Sequence, residues 1–160
     1  MIKLQFYKGM GTGGGWKQKL VHQGIARISS PHTHVELVFS DSISFSSEFG
    51  TGPRFKDITY AHPDRWTEVL LPQIELQAEC RIRHRAKVLD RLREERFIKY
   101  DTRGCFGCTI TGRQNPWEFF CSEVVYEVLA PEIAIPSLNH KMHPEKLFEI
   151  IEVIKDLQCI

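Results

Sequence analysis

HTHVELVFSDSISFSSEF, His32 to Phe49, reads as two short strands joined by a tight turn, and its register decides which side chains share a face. Val35, Leu37 and Phe39 alternate with polar residues, as do Ile43 and Phe45 after them. Side chains along a strand repeat every second residue, so bringing both apolar sets onto one face requires a loop of odd length. A three-residue loop, Ser40 to Ser42, meets that condition. It sets His34 opposite Glu48 and Glu36 opposite Ser46 on the other face, which is polar and carries the histidine.

Working outward, Ile2 to Tyr7 alternates in the same way and predicts a strand with Ile2, Leu4 and Phe6 inward. A glycine-rich bend follows, then apolar residues at helical spacing from Trp16 to Ile28, broken by Ser29, Ser30 and Pro31. Two further strands are expected at Arg54–Tyr60 and Trp66–Leu71. A long helix is expected at Gln77–Phe97, with Ile82, Ala86, Leu89 and Phe97 facing the core. Lys99 to Asn115, rich in Gly and Thr, reads as a connector. A helix from near Cys121 to Leu129 is expected to stop before Pro131, and a last helix opens with Pro144 at its first position. No boundary divides the chain, so residues 1–160 are read as one α+β domain with a central antiparallel sheet.

Composition removes several function classes. At 42% hydrophobic and 26% charged residues the chain has the balance of an ordinary globular domain rather than a disordered or repetitive one. Its 21 basic and 20 acidic side chains leave a formal charge of +1, so no global field draws it to nucleic acid or an anionic membrane. Arg81 to Arg96 is the one dense basic run, and without interleaved aromatic residues it reads as a solvated helix face. No apolar run approaches the ~20 residues of a membrane span, and the start MIKLQFYKGMG lacks the pattern of a cleavable signal. Five irregularly spaced cysteines suit a reducing compartment better than a disulfide framework, so a cytoplasmic location is expected.

Three chemical constellations compete. GMGTGGG contains a G-x-G-x-x-G match at Gly9, Gly11 and Gly14, but no acidic residue follows at the distance a dinucleotide site requires, and no Lys-Ser/Thr completes a phosphate loop. Cys105 and Cys108 form one C-x-x-C pair, which HTH or Cys121 could extend to four zinc ligands. There is no second such pair, and no metal or other cofactor is assigned. The third constellation is a thiol nucleophile, for which an adjacent base or a helix N-terminus must favour the thiolate. Cys121 precedes the apolar stripe Val124, Val125, Val128 and Leu129, which would bury a helix and aim its N-terminus at the polar sheet face where His34 lies. A third polar group, Ser46 or Glu48 by the register above, would then hold the imidazole. Cysteine is equally a small buried hydrophobe, and the residues alone leave both readings open.

The ordered pieces SSPHTHVELVF, GPRFK, KYDTRGCFG, NPWEFFCSEVVYEVL and HPEKLFEII resemble the circularly permuted branch of the NlpC-type papain-like cysteine hydrolases, in which the histidine strand precedes the cysteine helix. Lecithin:retinol acyltransferase and small bacterial and phage proteins belong to that branch. The most specific pieces are THVEL and W-x-x-x-C-S-E, and the match spans nearly the whole chain.

The resemblance implies a papain-like domain in which Cys121 is the nucleophile and His34 the general base. The family's third polar residue falls about twelve positions after the histidine, at Ser46, where other members carry Glu or His. Glu48 is the second choice for that role. Tyr100 falls at the mouth of the family's active site, which implies a substrate or oxyanion contact, and the backbone N–H of Cys121 is the expected oxyanion donor. Cys105 and Cys108 fall at positions commonly apolar in the family, and Glu123 is a cap or a buried partner. The implied activity is hydrolysis of a peptide, amide or acyl substrate through a covalent acyl-enzyme. The competing functional reading is a silent member of the same fold serving as a phage or host-interaction binding protein.

Overall fold

The computed structural model describes residues 1–9, 23, 31–58, 60, 62–100, 118–133 and 142–158. The helix expected at Trp16–Ile28, apart from Gln23, and the Cys105–Cys108 pair lie outside them.

Five strands, β1 (Lys3–Lys8), β2 (His32–Val38), β3 (Ile43–Glu48), β4 (Gly52–Asp57) and β5 (Trp66–Leu70), form one antiparallel sheet in the order β4-β3-β2-β1-β5. The expected register of the central hairpin is realised, with Leu37 opposite Phe45 and Val38 opposite Ser44. Phe39 N–H donates to the Ile43 carbonyl at 2.9 Å, which closes the loop Ser40–Ser42. Ser42 occupies the left-handed region at φ 65°, as the last residue of a three-residue hairpin loop commonly does.

Three helices are present among the described residues: α1 (Leu76–Glu94), α2 (Cys121–Ile133) and α3 (Pro144–Gln158). A short 3₁₀ turn, Pro63–Arg65, leads into β5. A two-stranded parallel pair, β6 (Lys99–Tyr100) with β7 (Glu118–Phe119), brings the chain to α2. The architecture is therefore α+β, with an antiparallel sheet covered by helices on its apolar face. Ile2, Leu4, Phe6, Val35, Leu37 and Phe45 of that face form one buried cluster with Ile82, Ala86, Val124, Val125, Val128, Leu129, Leu147 and Ile151 of the helices. The stripe anticipated around Cys121 is thus buried in full.

α1 is tied to the hairpin loop by polar contacts. Ser40 donates from its backbone N–H and its hydroxyl to Glu79 Oε1, at 2.9 and 2.7 Å, and Arg83 makes a two-pronged contact with Asp41 while lying over the Phe39 ring.

Two expectations are corrected. Phe97 does not face the core: α1 ends at Glu94, Arg96 takes a left-handed conformation at φ 63°, and Phe97 emerges 59% exposed. The second concerns Pro131, which does not stop α2; the helix continues to Ile133. Proline deprives the Glu127 carbonyl of its i+4 donor, but Glu127 and Pro131 both lie on the exposed face, where water can take that carbonyl. Buried Ile133 and the pairing of Glu132 with Arg81 and Arg85 hold the last turn in place.

Candidate active site

Backbone pairing of β2 with β3 is confined to the turn-proximal end of the hairpin. Beyond it the Ser46 hydroxyl donates to the Val35 carbonyl at 2.7 Å, a side-chain bond where the ladder stops. At the far end of β3 the Ser47 hydroxyl donates to the Phe119 carbonyl at 2.8 Å, which fixes β7, two residues before Cys121, against the sheet. α2 starts there and packs on both β2 and β3. The Phe120 N–H donates to Glu123 Oε2 at 3.3 Å, so Glu123 reaches back from the first turn as a cap. The Ser122 hydroxyl, which donates to the Met142 carbonyl, ties the same turn to the start of α3.

This anchoring brings the first residue of α2 to the polar face of β2. The imidazole of His34 lies beside Cys121, which acts on its charge, and its Nε2 lies 3.3 Å from Glu36 Oε1. Burial works against a charge on His34, but the neighbouring Cys121 and the Glu36 carboxylate outweigh it and raise the imidazole to about 10. Glu36 is 2% exposed. Burial alone would raise its carboxyl, yet His34 and Lys56 hold it down at about 2. Cys121 is itself buried, as a core thiol would be. Beside it stands the His34 imidazole, with the Glu36 carboxylate on its other contact.

Behind Glu36 the charges continue to alternate. Lys56 Nζ lies 2.5 Å from Glu36 Oε1 and 2.7 Å from Glu48 Oε1, and Arg54 pairs with the other oxygen of Glu48. Aromatic rings flank the row. Trp66 meets His34 edge-on with centroids 6.3 Å apart, and packs against Tyr7 and Tyr60 at 5.1 and 4.4 Å. The Tyr60 hydroxyl is pushed well above the usual phenol range by burial, with the Glu36 and Glu68 charges adding to the effect.

The structure thus brings together His34 and Cys121, which the sequence reading paired. The carboxylate on the imidazole is Glu36, which that reading placed on the polar face but gave no role. Neither residue expected in the third position fills it: the Ser46 hydroxyl goes to a backbone carbonyl, and Glu48 is held by Lys56 and Arg54. The signal for Glu36 was present, because positions i and i+2 of a strand share a face. Tyr100 pairs with Phe119 in the strand leading to Cys121, and its ring is buried edge-on to Phe49 at 5.6 Å. Gly52, at φ +90°, lets β4 approach that segment, since an added Cβ would stand 3.4 Å from the Lys99 and Tyr100 backbone. Among the described residues no cluster of three metal-ligating side chains occurs, and no helix is long and apolar enough to cross a membrane.

Comparison with known protein families, with characterised proteins and with solved structures finds no match to this chain.

Proposed function

We propose that this protein is a cysteine hydrolase of the permuted NlpC-type, papain-like class, acting on a peptide, amide or acyl carbonyl in the cytoplasm. The observation that carries the reading is the row Cys121–His34–Glu36, with sulphur on the first residue of a helix, the imidazole beside it, and a buried ionised carboxylate on the imidazole.

In this mechanism the thiol proton rests on His34, and the sulphur anion attacks the carbonyl carbon to form a C–S bond. The oxyanion develops beside the N-terminus of α2, where the Cys121 N–H and the positive end of the helix dipole favour it. Collapse breaks the bond to the leaving group, which departs with the proton held on His34, and an acyl-enzyme remains. His34 then takes a proton from water, the hydroxide attacks the acyl carbon, and the sulphur leaves to restore the resting pair. Glu36 acts throughout as a positioning residue that fixes the ring and its charge. The carboxylate that other family members carry in the third position is thus supplied by Glu36, on the histidine's own strand.

The test is alkylation by iodoacetamide with the modified residue identified by mass spectrometry. Labelling concentrated on Cys121 and slowed at least tenfold at neutral pH in His34→Ala is the expected result, in line with the 10²–10⁴-fold usually supplied by a positioned base. Equal labelling rates in both proteins would remove the reading. Cys121→Ser is expected to abolish turnover of any substrate found while the protein stays folded.

A further inference from the structure

Resting on the hydrolase reading, we infer that Lys56 is a positioning residue of the site: it shares Glu36 Oε1 with His34 and so tempers the carboxylate's hold on the imidazolium.

Glu36 Oε1 faces both Lys56 Nζ at 2.5 Å and His34 Nε2 at 3.3 Å, so the two cations stand within 5.8 Å of each other through it. The second oxygen, Oε2, is buried and has no hydrogen-bond partner among the described residues. A carboxylate held by one oxygen could pivot, and a cation on that same oxygen fixes which one faces the ring. The same cation opposes charge on the ring. An imidazolium held too firmly is a poor acid toward a leaving group, so a base that must also return its proton gains from a carboxylate with divided charge.

Glu48 regulates how much of Lys56 reaches Glu36. It takes the ammonium at 2.7 Å from the far side, and is itself occupied by Arg54. The other groups facing Glu36 do not replace Lys56. Gln5, opposite it on β1, donates to Glu68 at 2.6 Å; Tyr60 carries no charge at neutral pH; Cys121 acts on the far side of His34. Lys56 is therefore the cation in contact with Glu36 other than His34 among the described residues.

Both substitutions have a defined sign. Removing the lysine charge in Lys56→Met is expected to raise the pH at which His34 loses its proton by roughly one unit, the usual scale for a close charge in a partly buried site. Glu48→Gln removes a negative charge and releases Lys56 toward Glu36, which lowers that pH. Lys56→Arg retains the charge and stays near wild type.

The experiment is a pH titration of the imidazole nitrogens by long-range ¹⁵N–¹H NMR, with His34 assigned by the signal lost in His34→Ala, run beside Cys121 alkylation. Opposite shifts in Lys56→Met and Glu48→Gln, with Lys56→Arg unmoved, are the expected outcome. A purely structural lysine would lower the melting temperature of Lys56→Met and leave the His34 titration of the folded protein where it was, which overturns the inference. Should Lys56→Met not fold, an unshifted or raised titration in Glu48→Gln overturns it equally. Failure of the hydrolase reading shows separately, as wild-type alkylation indifferent to His34→Ala.

Discussion

His34 and Glu36 stand two positions apart on β2, with Nε2 of one 3.3 Å from Oε1 of the other, so the proposed base and the carboxylate on it are carried by a single strand. Their spacing is set by the pleat itself and needs no loop to hold it. Glu36→Gln keeps the shape and removes the charge. Cys121 alkylation at neutral pH is expected to slow by about tenfold in this variant, less than in His34→Ala, because a positioning group supports the base without being it. A Glu36→Gln protein reacting as fast as wild type would assign the carboxylate to packing alone.

The same pair predicts how stability depends on pH. His34 is raised to about 10, so its contribution is complete below the ordinary histidine value and is lost as pH rises through about 10. Glu36 is lowered to about 2, so its contribution is complete above the ordinary glutamate value and is lost as pH falls toward 2. Urea unfolding at stepped pH should show wild-type stability declining on the alkaline side of neutrality. His34→Gln should lose that part of the slope, and parallel curves for the two proteins would contradict the assignment.

A second histidine works with the opposite sign. His32 is buried, its Nδ1 lies 2.7 Å from Glu145 Oε2, and the same oxygen accepts the His32 backbone N–H at 3.1 Å. Phe148 and Phe6 stack around the ring at 4.4 and 5.4 Å, so the first turn of α3 is fastened to the start of β2. Burial depresses the imidazole despite Glu145, so its contribution is present above the ordinary histidine value and is lost as pH falls below it. Glu145→Ala strips a buried ring and a backbone donor of their acceptor. It is expected to cost about 1–3 kcal/mol and to speed hydrogen exchange in α3 before the sheet responds.

The sheet was legible because period-two alternation is a strong signal, and the hairpin register followed from counting loop residues. Periodicity made His34 and Cys121 candidates, one on the polar face and the other at the head of an apolar stripe, and the family resemblance assigned them as a pair. Glu36 is not signalled by cross-hairpin pairing, which points to residues 46 and 48, because its contact with His34 runs along the strand. Cross-strand neighbours meet only while the ladder lasts. Here the β2–β3 ladder ends at Leu37 and Phe45, so the expected opposition of His34 and Glu48 has no backbone pairing to impose it. Pro131 and Phe97 misled for a related reason, since helix ends are set by what caps and packs them more than by propensity.

Ser42 offers a test of the loop that sets this register. Its φ of 65° places a non-glycine residue where Cβ crowds the backbone, at about 1–2 kcal/mol, although its N–H still donates to the Phe39 carbonyl at 3.0 Å. Glycine removes that crowding but adds freedom to the unfolded chain, worth roughly 0.5–1 kcal/mol. Ser42→Gly is therefore expected to stabilise by about 0.5 kcal/mol, and Ser42→Val, branched at Cβ, to destabilise by about 1 kcal/mol or more. Denaturant midpoints at fixed m-value measure both. The ranking glycine above serine above valine is the expected one. Valine equal to serine would mean that the left-handed turn does not limit the stability of the hairpin, and that β2 and β3 are held in register by their buried apolar face alone.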